Sequence, residues 1–441
     1  MSPFRRTFLA MIALLAGAST FVSPTCGATI EPLDSDVCHL LLKGDIEDGD
    51  LERFKEAVER VAAGIGARTN ALAAIETEEL HRVRDTIAAG KAAPGDMSER
   101  IAARKKPIEQ QASRVFKFQH LEHATPRFVF DNEVVTVCLN SLGGSFAEAR
   151  KIIAYMLSGD GVAMVIRAGD ECDSACALIF MFGNVKAALP GRTIVERRFM
   201  DRRLDVRGKL GLHAPYQTAE AAASVAVLRK AYEEGVKAVA NLLDLDEIGF
   251  LARPLIVAFL KTGAGEFQYL DTIAKAGSWG VELMGFRDPA ALTSAELERA
   301  CENDLQWTAE RRKSNPLPIE PPKGPLDSPL PWFLSSESRE IAIDNMRHAV
   351  VRRTLYSQYY ATGSTCCIAK LQGHEKGKLA LRIEHELGFK DNSMCLKATP
   401  MPEFTVPDER PVVGSEGFVL NRPLWFVYPA ETKLEDIAAR D

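Results

Sequence analysis

The sequence predicts an α/β fold of layered, parallel-stranded sheets and helices, with a helical insertion and a small C-terminal β-containing module. Short, nearly continuous apolar runs alternate with segments of helical periodicity between residues 38 and 285. Such runs are typical of strands buried on both faces of a parallel sheet. Residues 65–127 are rich in alanine and charged residues at helical spacing. Seven prolines between residues 316 and 331 predict a stiff, extended linker before the C-terminal module.

The α/β elements follow from these patterns in chain order. Residues 38–43 (CHLLLK) predict a strand, which a glycine turn joins to a helix from about residue 50. Residues 134–139 and 162–167 predict two buried strands around a helix with an apolar stripe. An apolar helix is expected at 174–183, a short strand at 209–214 and a long helix at 217–243. Strands that alternate with helices favour parallel pairing.

The first 28 residues have the layout of an export signal. Arg5 and Arg6 precede an apolar stretch, Phe8–Ala16, which is too short to span a bilayer, and small residues follow it. We therefore expect a periplasmic or secreted mature protein with no membrane span once the signal is removed. The net charge of −6 predicts no general attraction to nucleic acid or to anionic membranes.

The patterns divide the chain into four parts. Residues 1–28 form the signal peptide, and residues 29–288 form the α/β domain, with the helical insertion at 65–127. A helix and the proline-rich linker occupy 289–332, and the C-terminal module occupies 333–441. In that module the alternating segments LALRIEH and PLWFVYP suggest strands, and no residue indicates chemistry.

The cysteine content fits an oxidising compartment. Removal of the signal leaves eight of the nine cysteines, and an even number there favours disulfides. Cys172 and Cys176 lie four residues apart, so they either form a disulfide or pack as small buried residues. Cys38 and Cys138, on strands expected to be neighbours, either pair or pack. The sequence has no CxxC pair and no Cys/His array with zinc spacing, so no metal site is expected.

Three motifs place chemically useful groups at the ends of predicted strands. In LNSLGGS, Gly143 and Gly144 allow backbone amides to turn outward. In CDSACALIF, Ser174 opens the predicted apolar helix beside free N–H groups. In GLHAP, His213 ends a later strand. The ends of parallel strands share one edge of a sheet, so this edge offers a serine, a base to activate it and amides to hold an oxyanion.

Together these three motifs resemble those of the proteolytic subunit of the Clp protease and its exported relatives in the ClpP/crotonase superfamily. The segment LLLKGDIEDGD resembles the first strand and turn of that family, and the likeness covers about residues 38–285, interrupted by the helical insertion. The resemblance implies a ClpP/crotonase-like fold, a peptide or protein substrate, hydrolysis through an acyl-enzyme and a homo-oligomer. It implies no cofactor.

The same resemblance implies roles for five residues. Ser174 is the expected nucleophile and His213 the general base. The amides of Gly144, Gly143 and Ala175 are the expected oxyanion donors.

The chain departs from the family pattern at Leu142, at the expected acid and in the insertion 191–209 between the serine and the histidine. Leu142 stands where the family's turn has proline, although both glycines are kept. No carboxylate stands near Thr262 and Gly263, where the acidic member of a triad is expected, and Glu266 is the nearest candidate. A serine–histidine dyad without an orienting acid holds its histidine tautomer less well.

Two further alternatives follow from the sequence. The missing acid favours a non-catalytic protein of the same fold that acts as an oligomeric binding or scaffold protein, whereas an acyl-CoA enzyme of the crotonase type is disfavoured by export. The segment 191–209, with seven basic and three acidic residues, is either a flap that selects acidic substrates or a solvated loop.

Overall fold

Short strands and helices alternate along the chain. The computed structural model describes residues 27–88, 97–112, 134–189, 195–214, 225–245, 249–263, 266–289, 293–312, 332–343, 346–357, 360–373, 379–388 and 418–439. The strands are β1 Thr29–Pro32, β2 Leu40–Lys43, β3 Thr136–Asn140, β4 Ala163–Ile166, β5 Glu171–Asp173, β6 Asn184–Leu189, β7 Val195–Met200, β8 Arg202–Asp205, β9 Lys209–Leu212, β10 Gln268–Tyr269, β11 Glu282–Met284, β12 Trp332–Ile343, β13 Met346–Ser357, β14 Tyr360–Gly373, β15 Leu379–Gly388 and β16 Phe418–Arg422. The helices are α1 Asp50–Ala88, α2 Met97–Ala112, α3 Phe146–Ser158, α4 Ala175–Met181, α5 Val225–Leu245, α6 Arg253–Lys261, α7 Ile273–Trp279 and α8 Ser294–Arg312.

The central sheet has six strands in the order β1-β2-β3-β4-β8-β11. Neighbours from β2 to β11 pair in parallel, and β1 runs antiparallel at the edge. Every residue of β4 is buried, which explains its continuous apolar sequence. Cys38 and Cys138 form a disulfide that links the chain just before β2 to β3. The predicted α/β class with a parallel sheet is therefore confirmed.

Helix α3 covers one face of the sheet. Its predicted apolar stripe is buried through Ala149, Ile152 and Ile153 because residues three and four apart share a helix face. The helix begins after Ser145, whose side chain accepts a hydrogen bond from the Glu148 amide, as an N-cap does. This cap fixes where the LNSLGGS turn ends and the helix starts.

The predicted helical insertion forms two helices. The helix that begins at Asp50 continues without a break to Ala88 and is followed by α2. The buried carboxylate of Glu79 joins them, because it pairs with Arg82 on its own helix and with Arg100 and Arg104 on α2. Residues 113–127 of the predicted insertion lie outside the described residues.

Residues 202–205 are neither a flap nor a solvated loop, so both alternatives are wrong for this part of the segment, whereas residues 195–200 pair with β6 in a separate hairpin. The segment forms β7 and β8, and β8 lies inside the central sheet. Arg202 is buried and donates hydrogen bonds to the backbone oxygens of Gly280 and Phe250. The buried Arg203 pairs with Asp201. These cations stabilise the interior instead of facing a substrate.

The C-terminal strands β12 to β16 form a five-stranded antiparallel sheet, which confirms a β-containing module. The segment PLWFVYP, expected as a strand, is instead a 3-10 helix at Leu424–Val427. The chain then pairs with the α/β domain, since the Leu434 amide donates to Asp271 and the Ile273 amide donates to Thr432. None of the helices described has the length and apolar character needed to cross a bilayer.

Candidate active site

A small sheet separate from the central one holds the predicted site. It has the order β10-β9-β5, and β5 was not predicted from the sequence. Strand β5 runs parallel to β9, with Asp173 opposite Gly211. Strand β10 runs antiparallel to β9, with Gln268 opposite Leu212. Ser174 and His213 therefore each follow directly from neighbouring parallel strands, at the same end of this sheet.

Ser174 adopts an unusual backbone conformation, with φ 55° and ψ −121°. Among the residues described it is the one non-glycine with a positive φ. Its amide donates to the Gly211 oxygen at 3.0 Å, and its carbonyl accepts the Leu178 amide at 3.2 Å as α4 begins. Non-glycine residues in such regions cost of order 1–3 kcal/mol and cluster at active sites. A serine on a sharp, strained turn between strand and helix is the geometry of a nucleophile elbow.

Gly143 and Gly144 bring the LNSLGGS turn against Ser174. A Cβ on Gly143 would lie 2.6 Å from the Ser174 Cβ, so the close approach requires glycine. The turn is also held to the first loop, because Ile46 donates to the Gly143 oxygen and accepts from the Ser145 amide. The Gly144 amide takes no part in these two hydrogen bonds. The Gly143 amide donates to the Ser141 hydroxyl at 3.1 Å.

A disulfide between Cys172 and Cys176 encloses the serine turn. It joins strand β5 to the first turn of helix α4, and Ser174 lies between the two cysteines. Both cysteines are fully buried. Of the two alternatives the sequence left open for this pair, the disulfide is the one observed.

His213 lies one residue beyond β9. Its Nδ1 is 2.8 Å from the Ala214 carbonyl oxygen, and a proton on Nδ1 donated to that oxygen leaves Nε2 with its lone pair, as a general base requires. The Phe267 ring packs edge-on against the imidazole, with centroids 4.9 Å apart. Pro215 of the GLHAP motif lies outside the described residues.

Glu266, the expected candidate for the acid, is exposed at the start of the β10 segment. Its carboxylate lies over Gly263, 3.5 Å from where a Cβ there would be. The side chain against His213 from this segment is the neighbouring aromatic Phe267. An aromatic ring therefore occupies the position beside His213 where the sequence predicted the carboxylate of a triad.

Sequence reasoning missed Asp173, the residue before the serine. It is 4% exposed, and no partner among the described residues meets hydrogen-bond geometry at its Oδ1, although the nearby Gly211 amide acts to lower the pKa of the carboxyl. Burial, and secondly the charge of Glu171, raise the pKa of Asp173 to about 7. The feature that could have pointed to Asp173 was its place in CDSAC, directly before Ser174. In the structure it lies opposite Gly211 of GLHAP.

Among the described residues there is no cluster of three or more His, Cys, Asp or Glu side chains placed to hold a metal ion. The small sheet and its adjoining turns carry a hydroxyl, an imidazole, backbone amides and a buried carboxyl.

No protein-family model matches the chain, and no curated protein matches it with significant similarity. A strained serine, an imidazole on the adjacent strand and amides at Gly144 and Ala175 are the parts that acyl transfer needs.

Proposed function

We propose that this protein is an exported serine hydrolase of the peptidase type, with Ser174 as nucleophile and His213 as general base. One observation carries the proposal: Ser174 sits in a left-handed conformation between β5 and α4, beside the residue that follows β9. A serine that only capped a short helix would take an ordinary extended conformation and accept a hydrogen bond from the first turn. Ser174 makes no side-chain cap bond.

The proposed mechanism is acyl transfer in two halves. The Ser174 hydroxyl attacks the carbonyl carbon of a peptide or other acyl substrate, and its proton passes to Nε2 of His213. The tetrahedral intermediate collapses, and the imidazolium gives that proton to the leaving amine. A water molecule then attacks the acyl carbon of the acyl-enzyme and loses a proton to His213. The bond from that carbon to the Ser174 oxygen breaks, and the imidazolium returns the proton to this oxygen, which releases the acid and restores the free serine.

The oxyanion of the intermediate needs backbone donors. The amides of Gly144 and Ala175 suit this role, because Ala175 follows the nucleophile directly and Gly144 lies in the adjacent turn. Gly143 was also expected as a donor, but its amide already donates to Ser141. We assign to Gly143 the separate role of leaving room for Ser174.

Export and assembly belong to the same proposal. The Cys38–Cys138 and Cys172–Cys176 disulfides fit an oxidising compartment such as the periplasm or the extracellular space. The expected signal at residues 1–28 lies almost wholly outside the described residues. A peptide or protein substrate and a homo-oligomer follow from the sequence resemblance.

The test is covalent labelling of the mature protein with a fluorophosphonate probe, followed by mapping of the modified peptide. We expect labelling at Ser174 and its loss in Ser174→Ala and in His213→Ala. Ser158→Ala is the matched control, because this serine lies at the exposed end of α3 and should leave labelling unchanged. A folded wild-type protein that takes up no probe would refute the proposal.

A second candidate is an oligomeric binding or scaffold protein with an inactive site. The aromatic Phe267 against His213 favours it, because a ring supplies no charge to an imidazolium. So do the exposed apolar side chains of α5, including Val225 at 82% and Val236 at 51% exposure. This candidate predicts that Ser174→Ala complements a deletion strain fully, whereas the hydrolase predicts a loss of function.

A further inference from the structure

We infer that Asp173 is a positioning residue for this site: its buried carboxylate supplies the negative charge that stabilises the His213 imidazolium. The inference rests on the proposed function and deepens it, because it names an acid from a different strand than the sequence suggested. The position across from His213 on the β10 segment holds Phe267, and Glu266 lies exposed over Gly263. Among the described residues, a carboxylate for this role therefore has to lie on a different strand.

Asp173 and His213 lie on the same face of the small sheet. Glu171 stands opposite Lys209 and Asp173 opposite Gly211 in the parallel β5–β9 pair. Side chains alternate between faces along a strand, so the face that carries Glu171, Asp173 and Lys209 also carries His213. The ammonium of Lys209 lies 3.8 Å from the Glu171 carboxylate, as neighbours on one face do.

A chain of aromatic contacts connects the same two residues. Phe267 packs edge-on against His213, and its ring stacks on Tyr269 with centroids 5.7 Å apart. Burial, followed by the charges of Asp173 and Glu171, raises the pKa of Tyr269. The phenol is thus close enough to the Asp173 carboxylate to respond to its charge.

Gly211 provides the room for the Asp173 carboxyl group. A Cβ on Gly211 would overlap Oδ1 of Asp173 and would lie 2.8 Å from Cε1 of Tyr269. The carboxyl group occupies the volume that a side chain at 211 would fill. A buried carboxyl oxygen that lacks a well-formed hydrogen bond destabilises a fold. Such a group calls for a functional explanation, and a developing positive charge on the same face is one.

The separation suits a charge effect without direct contact. His213 is two residues beyond Gly211, which is about 6.6 Å along a parallel strand. A unit charge several ångströms from an imidazolium in a partly buried site changes its energy enough to alter a rate by an order of magnitude or more.

The charged and titratable groups around Asp173 are few. Glu171 lies on its own strand, Lys209 and His213 lie on the β9 side, and Tyr269 lies on β10. Lys209 is already paired with Glu171. Helix α4, which follows Ser174, carries no ionisable side chain. The carboxyl of Asp173 therefore gains its charge as the pH passes through about 7, the value to which burial and Glu171 raise its pKa.

The test compares fluorophosphonate labelling rates of wild type and Asp173→Asn between about pH 5.5 and pH 8.5. Below pH 6 wild-type Asp173 is protonated and resembles the amide, so the two rates should agree within about twofold. Near pH 8 the wild type should react roughly tenfold faster, because the carboxylate is then charged. A purely structural role would lower the rate of the variant by the same factor at every pH.

Glu171→Gln is the matched control, because it removes the neighbouring carboxylate and leaves Asp173 in place. Its charge is one cause of the raised pKa of Asp173, so its loss should move the rise in labelling rate to lower pH. The rate near pH 8 should stay within about twofold of wild type, because the Asp173 carboxylate is fully charged there.

The outcomes separate this inference from the proposed function. A wild type labelled at Ser174, with a rate ratio to Asp173→Asn that grows with pH, supports the inference. Labelling with a ratio that does not change with pH overturns it and leaves the hydrolase standing, whereas absence of labelling at every pH overturns both. If Asp173→Asn does not fold, Glu171→Gln decides: a rise displaced to lower pH supports the inference, and an unmoved rise overturns it.

Discussion

At the scale of single residues, Ser174 is held in place from three sides. Its amide is bonded to Gly211 on β9, its carbonyl starts α4, and Gly143 packs against its Cβ. A left-handed residue other than glycine persists only where its surroundings determine it. Because the hydroxyl direction follows from this backbone, small changes around Ser174 should alter reactivity more than stability.

Gly143→Ala tests that close packing. The new Cβ would lie 2.6 Å from the Ser174 Cβ and 2.9 Å from the Asp173 oxygen, at a φ of +110°. We expect Ser174 to be displaced and labelling by a fluorophosphonate to fall at least tenfold, with a loss of about 1–3 kcal/mol in the free energy of unfolding. Labelling rate and thermal denaturation are the measurements.

Gly49→Ala is the control for backbone strain alone. Gly49 also has a positive φ, +96°, but a Cβ there would meet nothing within 4 Å. It should lose a similar amount of stability and keep full labelling. Equal labelling in both variants would show that contact between Gly143 and Ser174 does not position the nucleophile.

At the scale of elements, the Cys172–Cys176 and Cys38–Cys138 disulfides act over very different lengths of chain. Cys172 and Cys176 are separated by 4 positions, across the junction of β5 and α4, whereas Cys38 and Cys138 are separated by 100. A cross-link restricts the unfolded chain more when its loop is longer. The short disulfide therefore shapes one turn, and the long one stabilises the whole α/β domain.

Paired substitutions separate these two effects. Replacing Cys38 and Cys138 together by alanine should lower the free energy of unfolding by about 4.7 kcal/mol, against about 2 kcal/mol for Cys172 and Cys176. The loss of labelling should follow the opposite order, because only the second pair encloses Ser174. Denaturant unfolding and probe kinetics give the two quantities. A Cys172/Cys176 double variant that labels at the wild-type rate would contradict the role assigned to the short disulfide.

At the scale of the molecule, the C-terminal segment belongs to the core of the α/β domain. Trp425 and Phe426, in the 3-10 helix, pack on Trp307 of α8 at centroid distances of 5.6 and 5.0 Å. Arg422 and Asp304 form a buried ion pair beside them. Gly277 of α7 lets the helices meet, since a Cβ there would overlap the Trp307 ring.

Trp425→Ala should therefore destabilise the entire protein. Trp425 is 2% exposed, and removal of a buried tryptophan costs about 3–5 kcal/mol. We expect one cooperative transition at a lower temperature, seen alike by circular dichroism and by the rate of Ser174 labelling on heating. Tyr232→Ala, at a ring 73% exposed on α5, should leave that transition unchanged. A Trp425→Ala protein that melts like wild type would show that the C-terminal segment is not part of this core.

The sequence predictions were more accurate for elements that depend on neighbouring residues than for elements that depend on contacts between distant segments. A strand buried on both faces, or a helix buried along one stripe, has a simple apolar pattern in its sequence. This pattern correctly predicted helix α3 and the strands near residues 38–43, 134–139 and 162–167. Strand β5 was missed because three residues that include two carboxylates carry no such pattern. The segment around Arg202 and Arg203 was predicted to be exposed because the sequence does not show what neutralises its charges. In the structure Arg202 donates to a backbone oxygen that is distant in sequence, and Arg203 pairs with Asp201.

The candidate site shows the same division. The motifs identified Ser174, His213 and both glycines, because turns and strand ends need particular residue types in short stretches. The acid was sought at Glu266, close to the expected place in sequence. Whether a carboxylate faces an imidazole depends on which strands become neighbours and on their register, and a shift by one residue turns every side chain to the other face.

By itself, the sequence determined the α/β class, the parallel strands and the residues of the serine turn, since each depends on contacts within a few residues or on a simple apolar period. Only the tertiary structure decided that the turn is enclosed by a disulfide, that basic residues of β8 lie inside the core and that Asp173 shares a face with His213. Those facts depend on strand order and register, which arise from packing between segments far apart in the chain.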